Sequence, residues 1–250
     1  MELEEKTIRD IRFLKEFSDF SVGAAEHVAG ILHSATVSDR KKGDGQAMGY
    51  NLAYMHVLVL IQMEACGALL YAISKWDAEK GVAGNMVDYD GKKIEKFLDA
   101  FTAAADPFAC LGFPSPDDLK GKMINPEDVN DCYTSESFYR LIRSITNLWK
   151  KDYIKKAYNK IKHGSLLIRS HHCLSSELSV PDVVNQDGIS VILSLKKREL
   201  YPITFNRGGD VYLENEYLDS IKRLTNIASG FAQGATAFLE NGMMRSRELS

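Results

Sequence analysis

Leu52–Ile73 reads LAYMHVLVLIQMEACGALLYAI, and the fold turns on whether this stretch crosses a membrane or fills a protein core. It is long enough to span a bilayer. His56, Gln62 and, near its middle, Glu64 interrupt the apolar run, and a carboxylate inserted there as a charge costs about 3 kcal/mol. A helix that is apolar on nearly all sides is also what the centre of a soluble bundle requires. The stretch is therefore read as the buried central helix of a soluble protein, with no membrane partner.

The composition agrees with that reading. At 250 residues and 28.0 kDa the chain can bury one sizeable core. Its 45% hydrophobic and 26% charged residues lie near the globular average, which excludes disordered and fibrous classes. Cys66, Cys110, Cys132 and Cys173 are scattered and form no CxxC pair, so neither a zinc ribbon nor a dense disulfide framework is indicated. The opening MELEEKTIRDIRFLKEF lacks the basic and apolar regions of a secretion signal. A cytoplasmic location with reduced thiols is expected.

Working outward from the central helix, residues 4–34 place Ile8, Ile11, Leu14, Phe17, Val28 and Leu32 at helical spacings, and SDRKKGDGQ after them reads as a polar loop. Two long helices joined by this loop are expected to pack side by side. DYDGKK leads into a shorter helix at about Lys92–Ala104. The following ADPFACLGFPSPDDLKGKMINPEDVNDCY holds four of the six prolines and is expected to be irregular, with short helical turns. Ser135 can cap a long helix that runs to about His163, where Gly164 can end it. GISVILSL, KKREL and YPITF carry the β-branched and apolar pattern of a small antiparallel hairpin or three-stranded insertion, at about 186–206. From about Glu214 to Asn241, the spacing of Leu218, Ile221, Leu224, Ala228, Phe231, Ala235 and Phe238 predicts an amphipathic helix. The fold class is mainly α: an antiparallel bundle of four to five long helices with a small β-hairpin insertion before the last helix, forming a single domain over residues 1–250.

The helix that ends in YNKIKHG carries the chemistry. Phe138, Leu141, Ile142, Ile145, Leu148 and Trp149 share one face, and the same line continues through Asp152, Lys156, Asn159, Lys160 and His163, so an apolar stripe turns polar without changing direction. Ile154, Ala157 and Ile161 start a new apolar stripe opposite. Either the helix kinks near Lys150 and the polar line faces water, or that line looks into a cleft or across a subunit boundary. From Lys150 to Arg169 seven Lys or Arg stand against one Asp, a net of +6 in a chain of −3, so the remainder carries −9. A basic patch on an acidic protein points to phosphate, and to nucleic acid in particular. Lys155, Lys160, Lys162 and Arg169 are the binding candidates.

This helix end, in an all-helical chain of this size, resembles the HEPN superfamily (higher eukaryotes and prokaryotes nucleotide-binding). The resemblance covers Ser135–Gly164 and, more loosely, the helical layout. It implies a helical bundle, a site commonly placed at a homodimer interface, and metal-independent endoribonuclease chemistry built on an Arg, often followed by a polar residue, and then a His. Asn159 and His163 match the polar residue and the His, but Tyr158 stands where the Arg is expected. Lys156, seven residues before His163, brings a cation to the same face, though without the bidentate fork of a guanidinium. On that reading the RNA's own 2′-hydroxyl attacks. His163 is general base or acid, Lys156 stabilises charge developing on the phosphate, and Asn159 orients the phosphate or the imidazole. No metal or other cofactor takes part. Without catalysis, His163 serves as a cation at the helix C-terminus.

Other signals are weaker. SHHC, Ser170–Cys173, offers donors that cannot converge on one ion, and GxxxxGK[ST], HExxH and GxSxG are absent from the sequence. Glu64 is read as a satisfied core carboxylate rather than a site residue. Two functions therefore stand: a HEPN-like RNA- or nucleotide-binding protein, and a non-enzymatic helical interaction or scaffold protein acting through a homodimer or a protein partner.

Overall fold

The computed structural model describes residues 4–119, 147, 156, 158–160, 167–168, 189–194, 199–204 and 213–245. The chain is mainly helical, as the periodicities indicate. Its helices are α1 (Glu5–Glu16), α2 (Val22–Lys42), α3 (Gly45–Ile73), α4 (Gly81–Val87), α5 (Gly91–Ala103), α6 (Pro107–Cys110), α7 (Pro116–Leu119) and α8 (Leu213–Glu240), with a π-helical segment at Phe17–Ser21. Strands β1 (Leu167–Ile168), β2 (Ile189–Ser194) and β3 (Glu199–Thr204) pair antiparallel in that order, with Val191 opposite Tyr201 and Ile192 opposite Leu200. The chain divides into two compact units, one of Met1–Gly23, Met63–Leu148 and Thr225–Ser250, the other of Ala24–Gln62 and Trp149–Leu224. Helices α3 and α8 each contribute residues to both units.

The first unit is organised around a buried carboxylate. Asp10 of α1 is 1% exposed. Its carboxylate accepts hydrogen bonds from the backbone amides of Val82, at 2.8 Å, and Ala83, at 3.1 Å. A side chain from one helix thus satisfies the orphan amides that open another. The arrangement explains why GVAGNMV, a poor helix former with two glycines, becomes α4 although its pattern does not announce a helix. Gly81 adopts φ +63°, and a Cβ there would lie 2.1 Å from Asp10 Oδ2, so only glycine fits. Lys6 Nζ and Arg9 Nη2 donate to the carbonyls of Ala78, at 3.3 Å, and Lys80, at 2.6 Å, fixing the preceding turn to α1.

The rest of this unit follows its sequence signals. Asp90 caps α5 by accepting from Lys93 N at 2.8 Å, and Ile94, Leu98 and Phe101 face the core at the expected spacing. Asp106 and Pro107 open α6 as cap and first residue. Phe108, Phe113, Phe231 and Phe238 form a cluster, with Phe113 edge-on to Phe238 at 5.0 Å and 6.1 Å from Phe231. Of the apolar series expected on α8, Ile221, Leu224, Ala228, Phe231, Ala235 and Phe238 are all buried.

Two expectations at the N-terminal end are corrected. The single helix read over 4–34 is interrupted by the π-helical segment. Its wider turn re-phases the apolar stripe. Ile11 and Leu14 are buried before it, but after it Ala25, Ala29 and Thr36 face inward while Val28 is exposed. The stretch SDRKKGDGQ is helical through Lys42 rather than a loop. Arg40, Lys41 and Lys42 fill the last turn of α2, where cations suit the dipole, and the connection to α3 shrinks to Gly43, at φ +71°, and Asp44.

Helix α3 is the candidate membrane span of the sequence. It is long and apolar enough to cross a bilayer, and half of its most apolar window is buried inside the protein. Met55, Leu60, Met63, Leu69, Leu70 and Ile73 are core residues. Glu64 is half-buried and lies against Tyr89. Burial, with the charge of Glu64 and a hydrogen bond to it, raises the pKa of the Tyr89 phenol. Burial also pushes the Cys66 thiol up to about 12, so it is inert as a nucleophile.

Candidate functional site

The polar end of the YNKIKHG helix is described at Lys156 and at Tyr158, Asn159 and Lys160, all helical. Lys156, Asn159 and Lys160 stand at i, i+3 and i+4 and share one face. Asn159 and Lys160 are exposed and Lys156 is half-buried. Tyr158 projects from the other side and is 4% exposed. The residue in the arginine position of the resembled motif is therefore a core aromatic, while its polar neighbours face outward. Lys155, Lys162, His163 and Arg169 lie outside the described residues, as does Ser170–Cys173.

The same unit holds a second polar grouping that the sequence reading did not single out. The first turn of α8 presents Glu214 and Asn215, with Tyr217 just beyond. Glu214 is 1% exposed and is ion-paired with Arg40 of α2. Two turns back along α2, His33 Nε2 lies 2.8 Å from Asn215 Oδ1. Tyr217 stacks edge-on against His56 of α3, with ring centroids 5.5 Å apart. Asp39 of α2 accepts from Asn51 Nδ2 of α3 at 2.9 Å. Polar contacts thus tie the start of α8 to both helices of the α2–α3 hairpin.

Electrostatics makes this grouping a latch rather than a reaction centre. The Glu214 charge is matched by a guanidinium and favoured by the helix N-terminus. Burial lowers the pKa of His56 from 6.5 to about 4, so the imidazole is neutral at physiological pH. Its one sequence signal is the placement of polar His56 within an otherwise apolar run. Arg40 and Glu214 are far apart in sequence, so their pairing becomes visible only once the helices are folded. Among the described residues no group of His, Cys, Asp and Glu side chains is arranged to hold a metal ion.

No family model, no curated protein and no solved structure matches the chain.

Proposed function

We propose that the protein is a HEPN-like nucleic-acid- or nucleotide-binding homodimer whose metal-independent ribonuclease activity is weak or absent. The observation that carries this reading is the split at the motif: Tyr158 is buried where an arginine would meet phosphate, while Asn159 and Lys160 are exposed beside it. Binding needs only outward-facing cations and hydrogen-bond donors. Cleavage needs a cation fixed against the phosphate as the 2′-oxygen attacks, and losing that kind of stabilisation typically costs about 10²- to 10³-fold in rate. Lys156 supplies charge on the same face and His163 a proton carrier, which leaves residual catalysis at most. The proposal includes the four-to-five-helix bundle with a β-hairpin insertion before its last helix, and a cytoplasmic location.

The basic stretch supplies the test. Affinity for single-stranded RNA is expected to fall steeply between low and physiological salt, because each neutralised phosphate releases counterion. Replacing Lys155, Lys160 and Lys162 together by Gln should weaken binding at least tenfold and flatten that salt dependence, with the thermal midpoint unchanged. Fluorescence anisotropy at two salt concentrations reads both effects. Equal affinity in wild type and triple variant would favour the reading as an interaction or scaffold protein.

A further inference from the structure

The α2–α3 hairpin has two sides, and only one of them is covered by α8. On α2, His33 and Arg40 reach α8; Ile31 lies about 160° around the helix from His33, and Val28 about 120° from Arg40. On α3, His56 reaches Tyr217, while Tyr54, Ile61 and Tyr50 lie about 120–160° away from it. The connection between the two helices is only Gly43 and Asp44, and Asn51 is bonded to Asp39. The two helices are therefore antiparallel neighbours, and both outward stripes fall on the side away from α8.

That outer side is apolar and exposed. Val28, Ile31, Tyr50, Tyr54 and Ile61 are each between 41% and 60% exposed. Together they offer on the order of 400 Å², the size of the largest patch on a typical monomer. Its sequence is almost free of charge: Gly45–Met63 contains no Asp, Glu, Lys or Arg, and Val22–Val37 contains only Glu26, which projects toward the α8 side. Helices that are apolar on both sides need a layer on both sides.

We infer that this face docks a second copy of the chain, α2 and α3 packing on their two-fold mates as a four-helix layer. A charge-free surface is compatible with itself, since isologous pairing buries no unmatched ion. Gln46 donates to the Tyr50 hydroxyl at 2.8 Å at the edge of the face, a polar contact suited to a protein interface and not to a bilayer core. The inference deepens the homodimer of the proposed function and rests on it for the number of copies.

Light scattering on the full chain at about 50 µM is expected to give twice the 28.0 kDa of one chain, and Ile31→Lys with Tyr54→Lys should return it to one chain while circular dichroism stays unchanged. A Tyr54→Cys variant should form a covalent dimer under mild oxidation beyond any seen for wild type, which tests the face even if the double-lysine variant misfolds. A wild-type monomer would overturn both the face and the dimer. A dimer that persists in the folded double-lysine variant, with no extra cross-link at residue 54, would overturn the face alone. Flotation of wild type, but not of that variant, with phosphatidylcholine–phosphatidylserine vesicles would assign the face to lipid and overturn the inference.

Discussion

Replacing Arg40 by Met is expected to cost about 3 kcal/mol of folding stability. Glu214, its partner, is 1% exposed, whereas the Arg40 side chain is 35% exposed. The cost therefore comes less from the attraction lost than from the carboxylate stranded without its counter-ion. Removing one member of a buried pair typically costs about 3–5 kcal/mol. The open side of Arg40 and the favourable position of Glu214 in the first turn of α8 place the expected value at the lower end. Replacing both, Arg40→Met with Glu214→Leu, should recover most of the loss, because no charge is then left buried. Urea unfolding of the three proteins measures this directly. A single variant within about 0.5 kcal/mol of wild type would show that the pair does not hold α8 to α2.

Acid is expected to act through a different residue of the same grouping. The unfolded chain takes a proton on His56 near pH 6.5, whereas the folded protein accepts one only near pH 4, because burial disfavours the imidazolium. Between those values the unfolded state binds more protons, so stability rises with pH across the window and is lost as pH falls through it. The contribution of His56 amounts to about 2 kcal/mol between pH 7 and pH 5, and levels off at about 3 kcal/mol below pH 4. The ring of Tyr217 edge-on to the imidazole offers no counter-charge to offset it. His56→Gln should remove that part of the acid sensitivity. Urea midpoints at pH 7 and pH 5 for both proteins provide the comparison, and an equal loss in both would assign the acid sensitivity to other groups.

Helices with a single continuous apolar stripe were legible in the sequence. α5 and α8 appear within a residue or so of their expected ends, because Asp90 caps the first and an uninterrupted series from Ile221 to Phe238 defines the second. Structure created by distant partners was not legible. α4 exists because Asp10, about seventy residues earlier, satisfies its first amides. The π-helical segment at Phe17–Ser21 shifts the phase of a stripe that looks continuous as letters. The polar letters of SDRKK suggested a loop but serve as the C-terminal turn of α2, with Arg40 reaching Glu214. At the candidate site, the sequence marked Tyr158 as the departure from the resembled motif, and the fold buries it. The exposed apolar side of the hairpin was hidden by the same feature that made α3 resemble a core helix, namely that it is apolar on every side.

The proposed function would place RNA on a helix end that lacks the arginine needed to cleave it well. The most direct measurement incubates wild type and His163→Ala with structured and unstructured RNA in the presence of chelator, following binding and cleavage in the same samples. Wild-type binding is expected to be sensitive to salt, with cleavage negligible and equal in the two proteins. Robust cleavage by wild type that vanishes in His163→Ala would contradict it, and would assign to Lys156 the role that the buried Tyr158 cannot fill.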